Sequence, residues 1–375
     1  MSKKIFVISG ESSGDLQGGT LIARLKTLRP EWRFFGVGGI KTQKAGAILL
    51  EDSTSFGVIG ITTALAKFPQ MVQKYLKLKK TITREKPDLV VLIDSPALNM
   101  RLAHLTRKLN IPTIYFFPPS AMIRNPKRIH KIFSLVDGVI PVFKFTAQYY
   151  EELGLPVNYF GHPLLDILLG KNDPPKTQTN QRILGILPGS RVHEVKALLP
   201  TMLKTAEKIH REHPDVSFVL PLAQPYILEL VEKELQKYHL PIRIEKDNPQ
   251  AALKQCEVIL TSSGSVTLEA AILGIPMVVI YRLPWLDWNL AKIVVKTDWI
   301  ALPNILLKQS VIPELLQEQA TPELIFPVLD NLLKNHDAKE EMTQNLRKVK
   351  EFLGEPGATD RIADFILNFL DNEKH

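Results

Sequence analysis

A chain of 375 residues, 45% hydrophobic and 23% charged, is long enough for two domains with separate cores and too apolar to be disordered. Its 47 Lys and Arg against 39 Asp and Glu leave a formal charge of +8, which favours an anionic partner: nucleic acid, an anionic membrane surface or a phosphorylated substrate. One cysteine, Cys256, excludes an internal disulfide framework and suits a reducing cytosol.

The first residues, MSKKIFVISGESSGD, carry too short an apolar run for a signal peptide, and no run reaches membrane-spanning length. KIFVIS then reads as a strand, GESSGD as a turn and LQGGTLIARLKTL as a helix. Strands follow at RFFGVG, Asp88 to Asp94, TIYFF and DGVIPV, with helices near 61–84, 98–109 and 145–153. After GHPLLDILLG the polar, proline-containing stretch 171–181 reads as an exposed linker. Beyond it come strands at RILGILPG, VSFVLPLA, IRIEK, EVILTS and MVVIY, a helix over 192–212 and, after Pro313, a mainly helical end closing with RIADFILNFL. Alternation of this kind predicts an α/β chain: two doubly wound Rossmann-like domains, 1–170 and 182–355, facing a central cleft. The last helix, 356–375, is expected to dock back on the first domain.

In open parallel sheets ligands bind beyond the carboxyl ends of the strands, so the polar turns there are the candidates. Thr261 to Tyr281 runs strand, Ser/Gly turn, helix, Gly274 stop, strand. Its SSGS turn aims backbone N–H groups and a helix N-terminus at one spot, as an anion site requires; an ordinary βα turn carries equal weight. In LPGSRVHEV, Gly189, Ser190 and Arg191 separate a strand from a helix, and an arginine fork beside a helix N-terminus suits a pyrophosphate. GESSGD, at Gly10 to Asp15, is neither a Walker nor a dinucleotide fingerprint and reads as cap or substrate contact alike. Asp94, ending an apolar strand, is a candidate general base or the N-cap of the next helix. His162 and His193 read more readily as structural than as acid/base groups. No metal-ligand spacing occurs, and no cofactor is indicated. Without a zinc-finger spacing or RNA-binding aromatic motif, and with scattered lysines, nucleic acid is not an expected partner. Ile61 to Lys80 and Met122 to Lys131 combine apolar positions with cations, among them Lys74, Arg124, Lys127 and Arg128. They fit an anionic bilayer or an acyl chain, or, for the first, a core helix with solvated lysines.

Taken together, SGESSGDLQGGTLIARLK, GVGG, the PD segment ending at Asp94 with Asn99 following, VFKFTAQYY, GHPLLD, LPGSRVHEV, SSGSVTLEAAILGIPMVVIYR, LAKIVVK and LPNIL make the chain resemble the lipid-A-disaccharide synthases. These are inverting glycosyltransferases with two Rossmann-like domains, the GT-B type. The resemblance implies transfer of a diacylglucosamine from UDP to a diacylglucosamine 1-phosphate, with Asp94 as base. It points to Gly189, Ser190, Arg191, Ser262, Ser263, Gly264, Glu269 and Asn304 on the UDP side, and Ser13, Gly14, Asp15 and Asn99 on the acceptor side. It also implies a cytoplasmic protein, peripheral at the inner face of the membrane, with a homodimer left open. Two stretches depart from the family: PPSAMIRNPKR at Pro118 to Arg128 lacks tryptophans, and Thr62 and Thr63 stand where a glutamate is usual. A UDP-sugar 2-epimerase, another lipid acceptor, or a non-catalytic nucleotide-sugar-binding protein remain alternatives on the same architecture.

Overall fold

A computed structural model describes residues 2–52, 61–118, 125–170, 182–294 and 298–372, without side chains at 61–68 and 290–294. The chain forms two compact units, Met1–Gly170 with Phe352–His375, and Lys171–Glu351.

The first unit alternates β1 (Lys4–Ser9), α1 (Ser12–Leu28), β2 (Arg33–Gly38), α2 (Ile40–Lys44), β3 (Ile48–Asp52), α3 (Ile61–Glu85), β4 (Leu89–Ile93), α4 (Pro96–Lys108), β5 (Thr113–Phe116), α5 (Pro126–Phe133) and β6 (Gly138–Ile140), then α6 (Lys144–Glu152) and α7 (Leu164–Leu168). The second runs β7 (Arg182–Leu187), α8 (Val192–Glu212), β8 (Val216–Pro221), α9 (Leu228–Leu235), β9 (Ile242–Glu245), α10 (Pro249–Gln255), β10 (Val258–Ser262), α11 (Ser265–Leu273), β11 (Met277–Tyr281), α12 (Trp285–Val294), α13 (Leu302–Leu307), β12 (Glu314–Leu316), α14 (Pro322–Lys334) and α15 (His336–Lys348). The closing helix α16 (Ala358–Asn372) belongs to the first unit, where it packs on α1 and α7. Asp166 accepts from the Gly357 and Thr359 amides at its start, and Arg24 pairs with Asp360 at 2.7 Å.

Among the described residues each unit holds one six-stranded parallel sheet, in the orders β3-β2-β1-β4-β5-β6 and β12-β11-β10-β7-β8-β9. Numbered from its own first strand, each sheet reads 3-2-1-4-5-6, the doubly wound order. The central strands explain themselves: LVVLI of β4 is wholly buried, as a strand covered by helices on both faces must be. Each such side chain stabilises the core by about 1.5–3 kcal/mol. The edge strands β3 and β12 are additions to the sequence reading. ILLED and the three-residue ELL lack a buried apolar run, and each is an edge strand paired on one side.

The order of strands also fixes where ligands can enter. β1 and β4 are neighbours whose connections leave in opposite directions, and so are β7 and β10. Ser9 pairs with Ile93, and Leu187 with Thr261. The turns Gly10–Glu11 and Asp94–Ser95 therefore emerge side by side in the first unit, as do Pro188–Arg191 and Ser263–Gly264 in the second.

Candidate functional site

At the first switch point the chain leaves β4 through two successive left-handed residues, Asp94 (φ 51°) and Ser95 (φ 46°). Neither is glycine, so each conformation costs about 1–3 kcal/mol and persists only where its surroundings impose it. The surroundings are visible. Tyr115 donates its hydroxyl to the Asp94 carbonyl at 2.9 Å, and Asn99 Nδ2 donates to the carbonyls of both Asp94 and Ile93. Gly10, the first residue after β1, has to be glycine, because a Cβ there would collide with the Ser95 side chain. Ser95, not Asp94, is the N-cap of α4, and it makes no side-chain cap. The Asp94 carboxylate is half-buried, with Ser13 Oγ donating to Oδ2 at 3.5 Å. Burial, and then the charge of Asp94, push the Tyr115 phenol up, so it stays protonated and donating.

The structure moves two acceptor-side expectations inward. Asp15 is 2% exposed, and its oxygens accept from the backbone N–H groups of Gly39, Lys41 and Thr42, which anchors the start of α2. Asn99 is fully buried, bonded to the carbonyls of Ile93 and Asp94. Ser13, half-buried, and Gly14, buried in the first turn of α1, lie at the same end of the sheet as the Asp94 carboxylate.

In the second unit the SSGS turn is the less encumbered one. Ser262 closes β10 and is buried, whereas Ser263 is half-buried and Gly264 and Ser265 are exposed. Gly264 is the N-cap of α11 with extended backbone, and a Cβ there would meet nothing within 4 Å. The N-terminus of α11 thus presents backbone to open space, the arrangement an anion needs. Glu269 lies one turn further, half-buried. Gly274, left-handed at φ 66°, ends the helix.

The turn Gly189–Arg191 is built differently from the sequence expectation. Glu194, buried in the first turn of α8, folds back so that its carboxylate accepts from the Ser190 and Arg191 amides at 3.1 and 3.3 Å and pairs with the Arg191 guanidinium at 2.8 Å. The backbone donors expected to share a pyrophosphate already hold an anion of the chain itself. Gly189 (φ 108°) makes room for it, since a Cβ would run into that carboxylate. Tyr226 donates to the Ser190 carbonyl at 2.6 Å. The signal was present in the sequence: a glutamate at the third helical position is the partner that helix starts recruit.

Asn304, expected on the UDP side, is engaged within the chain. It is 0% exposed; Nδ2 donates to the Ile312 carbonyl and Glu314 Oε1, and Oδ1 accepts from the Val311 and Ile312 amides. Both ends of its amide are satisfied within the chain. It acts from behind: Glu314 accepts from the Ile300 and Ala301 amides, and Ser263 Oγ donates to the Ile300 carbonyl at 2.9 Å. Asn304, Glu314 and the 300–301 segment together prop the SSGS turn.

His162 is 1% exposed, edge-on to Phe117 and Phe143, with Nδ1 accepting from the Leu164 amide. Burial lowers its pKa to about 3, so it is neutral and structural, while His193 is exposed on α8. Lys127 and Arg128 are exposed on α5 and Lys74 is half-buried on α3; Arg124, the side chains of Thr62 and Thr63, and 171–181 lie outside the described residues. Among the described residues no group of three His, Cys, Asp or Glu side chains is placed to hold a metal ion, and no helix is long and apolar enough to cross a membrane.

A family model described as lipid-A-disaccharide synthetase matches residues 5–361. Curated lipid-A-disaccharide synthases of Trichlorobacter lovleyi and Geobacter metallireducens are 35% and 33% identical, over 98% and 100% of this chain and 98% and 99% of theirs. Among solved structures, a putative UDP-N-acetylglucosamine 2-epimerase of Listeria monocytogenes superposes with a TM-score of 0.63 at 14% identity, covering 99% of this chain and 98% of that one. The glycotransferase of kitacinnamycin does so at 0.63 and 16%, covering 98% and 99%. These two share the fold, the GT-B type, at identities that carry no activity across. The match over nearly its whole length establishes that this chain belongs to the lipid-A-disaccharide synthase family.

Proposed function

We propose that this glycosyltransferase moves a 2,3-diacylglucosamine from its UDP donor to the hydroxyl of a 2,3-diacylglucosamine 1-phosphate, with inversion at the anomeric carbon. Asp94 accepts the proton of the attacking hydroxyl as the new glycosidic bond forms. The bond from the anomeric carbon to the diphosphate breaks, and its electron pair leaves with UDP. Inversion needs only this one base. The charge that grows on the leaving diphosphate falls to the N-terminus of α11 at Ser263 and Gly264 and to the Arg191 guanidinium, which its pair with Glu194 orients. In this reading Ser262, Gly189 and Ser190 shape the two turns, Glu269 serves the ribose, and Ser13 and Gly14 serve the acceptor.

The observation that carries this reading is the strained Asp94 at the switch point of the first sheet, in a chain with a family match from residue 5 to 361. Both substrates are lipids, so a peripheral contact with the inner face of the cytoplasmic membrane belongs to the same reading. Exposed Lys127 and Arg128, with Lys74 and Arg124, are its cationic candidates. Incubation with UDP-diacylglucosamine and the 1-phosphate acceptor, followed by mass spectrometry, is expected to give the disaccharide 1-phosphate and UDP in equal amounts. An epimerised sugar nucleotide formed without acceptor would replace this reading with another.

A further inference from the structure

Tyr115 is completely buried in the core of the first unit, two strands' width from β1, and its ring packs with the cluster that includes Leu92, Val139 and Tyr150. For that packing a phenylalanine would serve equally well. The hydroxyl has a different employment: it donates to the carbonyl of Asp94, the first of the two left-handed residues. The Asn99 side chain grips the same carbonyl from α4. The two donors come from different elements and converge on one peptide group, the one whose orientation decides where the Asp94 carboxylate points.

We propose that Tyr115 is a positioning residue for glycosyl transfer: its hydroxyl, together with Asn99, locks the left-handed backbone of Asp94 and so aims the carboxylate at the acceptor hydroxyl. The inference rests on Asp94 being the base. Without the hydroxyl, the carbonyl keeps Asn99 and the fold survives, but Asp94 samples backbone states that turn its carboxylate away. The effect belongs in turnover and not in donor binding, because the turns assigned to UDP are in the other unit.

The test is Tyr115→Phe in the full chain, assayed with UDP-diacylglucosamine and the 1-phosphate acceptor in wild-type and Asp94→Asn backgrounds. Expected are a fall in kcat of about tenfold in the wild-type background, the size of one lost hydrogen bond, an unchanged donor KM, and no further fall in the Asp94→Asn background. Turnover within twofold of wild type overturns the inference, and so does an equal fall in both backgrounds, which would mean that Tyr115 acts without Asp94. If Asp94→Asn itself keeps full turnover, it is the assignment of the base that fails. Should Tyr115→Phe not fold, Asn99→Ser removes the second donor to the same carbonyl and carries the same expectations.

Discussion

The two sheets have one topology and treat their switch points in opposite ways. In the first unit the strand end is crowded and strained: Gly10 abuts Ser95, and two non-glycine residues are held left-handed by buried donors. In the second, the equivalent exit from β10 is made of small residues, with Gly264 extended and open space over it. Strain suits a group that must point in one direction at the moment of reaction. Open backbone suits a leaving group that has to approach closely and then depart. The same architecture supplies both by changing a few residues after the fourth strand.

Asp94→Ala tests this contrast most severely. It should lower turnover by about 10²–10⁴-fold, the range for a lost general base, while calorimetric UDP affinity stays as it was; near-normal turnover would remove Asp94 from the reaction. Asn304→Ala asks whether the second turn depends on its props. It removes the four hydrogen bonds that the buried amide makes to the Val311 and Ile312 amides, the Ile312 carbonyl and Glu314, so urea unfolding should show a loss of about 3 kcal/mol, with weaker donor binding. Unchanged unfolding would make the turn self-supporting. Gly264→Ala places a methyl in the open space with no steric cost. The melting temperature should hold while donor KM rises about tenfold, at the low end of what one extra methyl does in a site. A KM equal to wild type would place the diphosphate elsewhere.

An effect that appears only on acidification concerns His162 in the first unit. Its folded-state pKa of about 3 lies below the usual 6.5, so the unfolded chain binds the extra proton first. Stability is complete above about pH 6.5 and falls as pH drops from there towards 3, by up to about 1.4 kcal/mol per pH unit. His162→Gln should flatten that part of a urea-denaturation series; a slope unchanged by the substitution would assign it to other groups.

Strand and helix alternation, the paired Rossmann order and the polar turns were legible because they rest on local apolar periodicity. The commitments of individual polar groups were not. Asp15 spends its carboxylate on amides 24 to 27 residues away, a relation no local pattern carries. Asn304 reads as a ligand for the same reason, although its partners lie within ten residues. The left-handed pair at Asp94 and Ser95 has no glycine to announce it, because donors from α4 and β5 impose it. Only Glu194, three residues beyond Arg191, left a signal that pattern reading can find.

The return of α16 to the first unit has a consequence for biosynthesis. Ile362, Ala363, Ile366 and Leu370 are buried there, and Asp166 holds the amides at the helix start. As the chain leaves the ribosome, every residue of the second unit emerges before this last piece of the first. The unit that carries Asp94 is therefore the first to be made and the last to be completed, waiting with α1 and α7 uncovered while its neighbour folds.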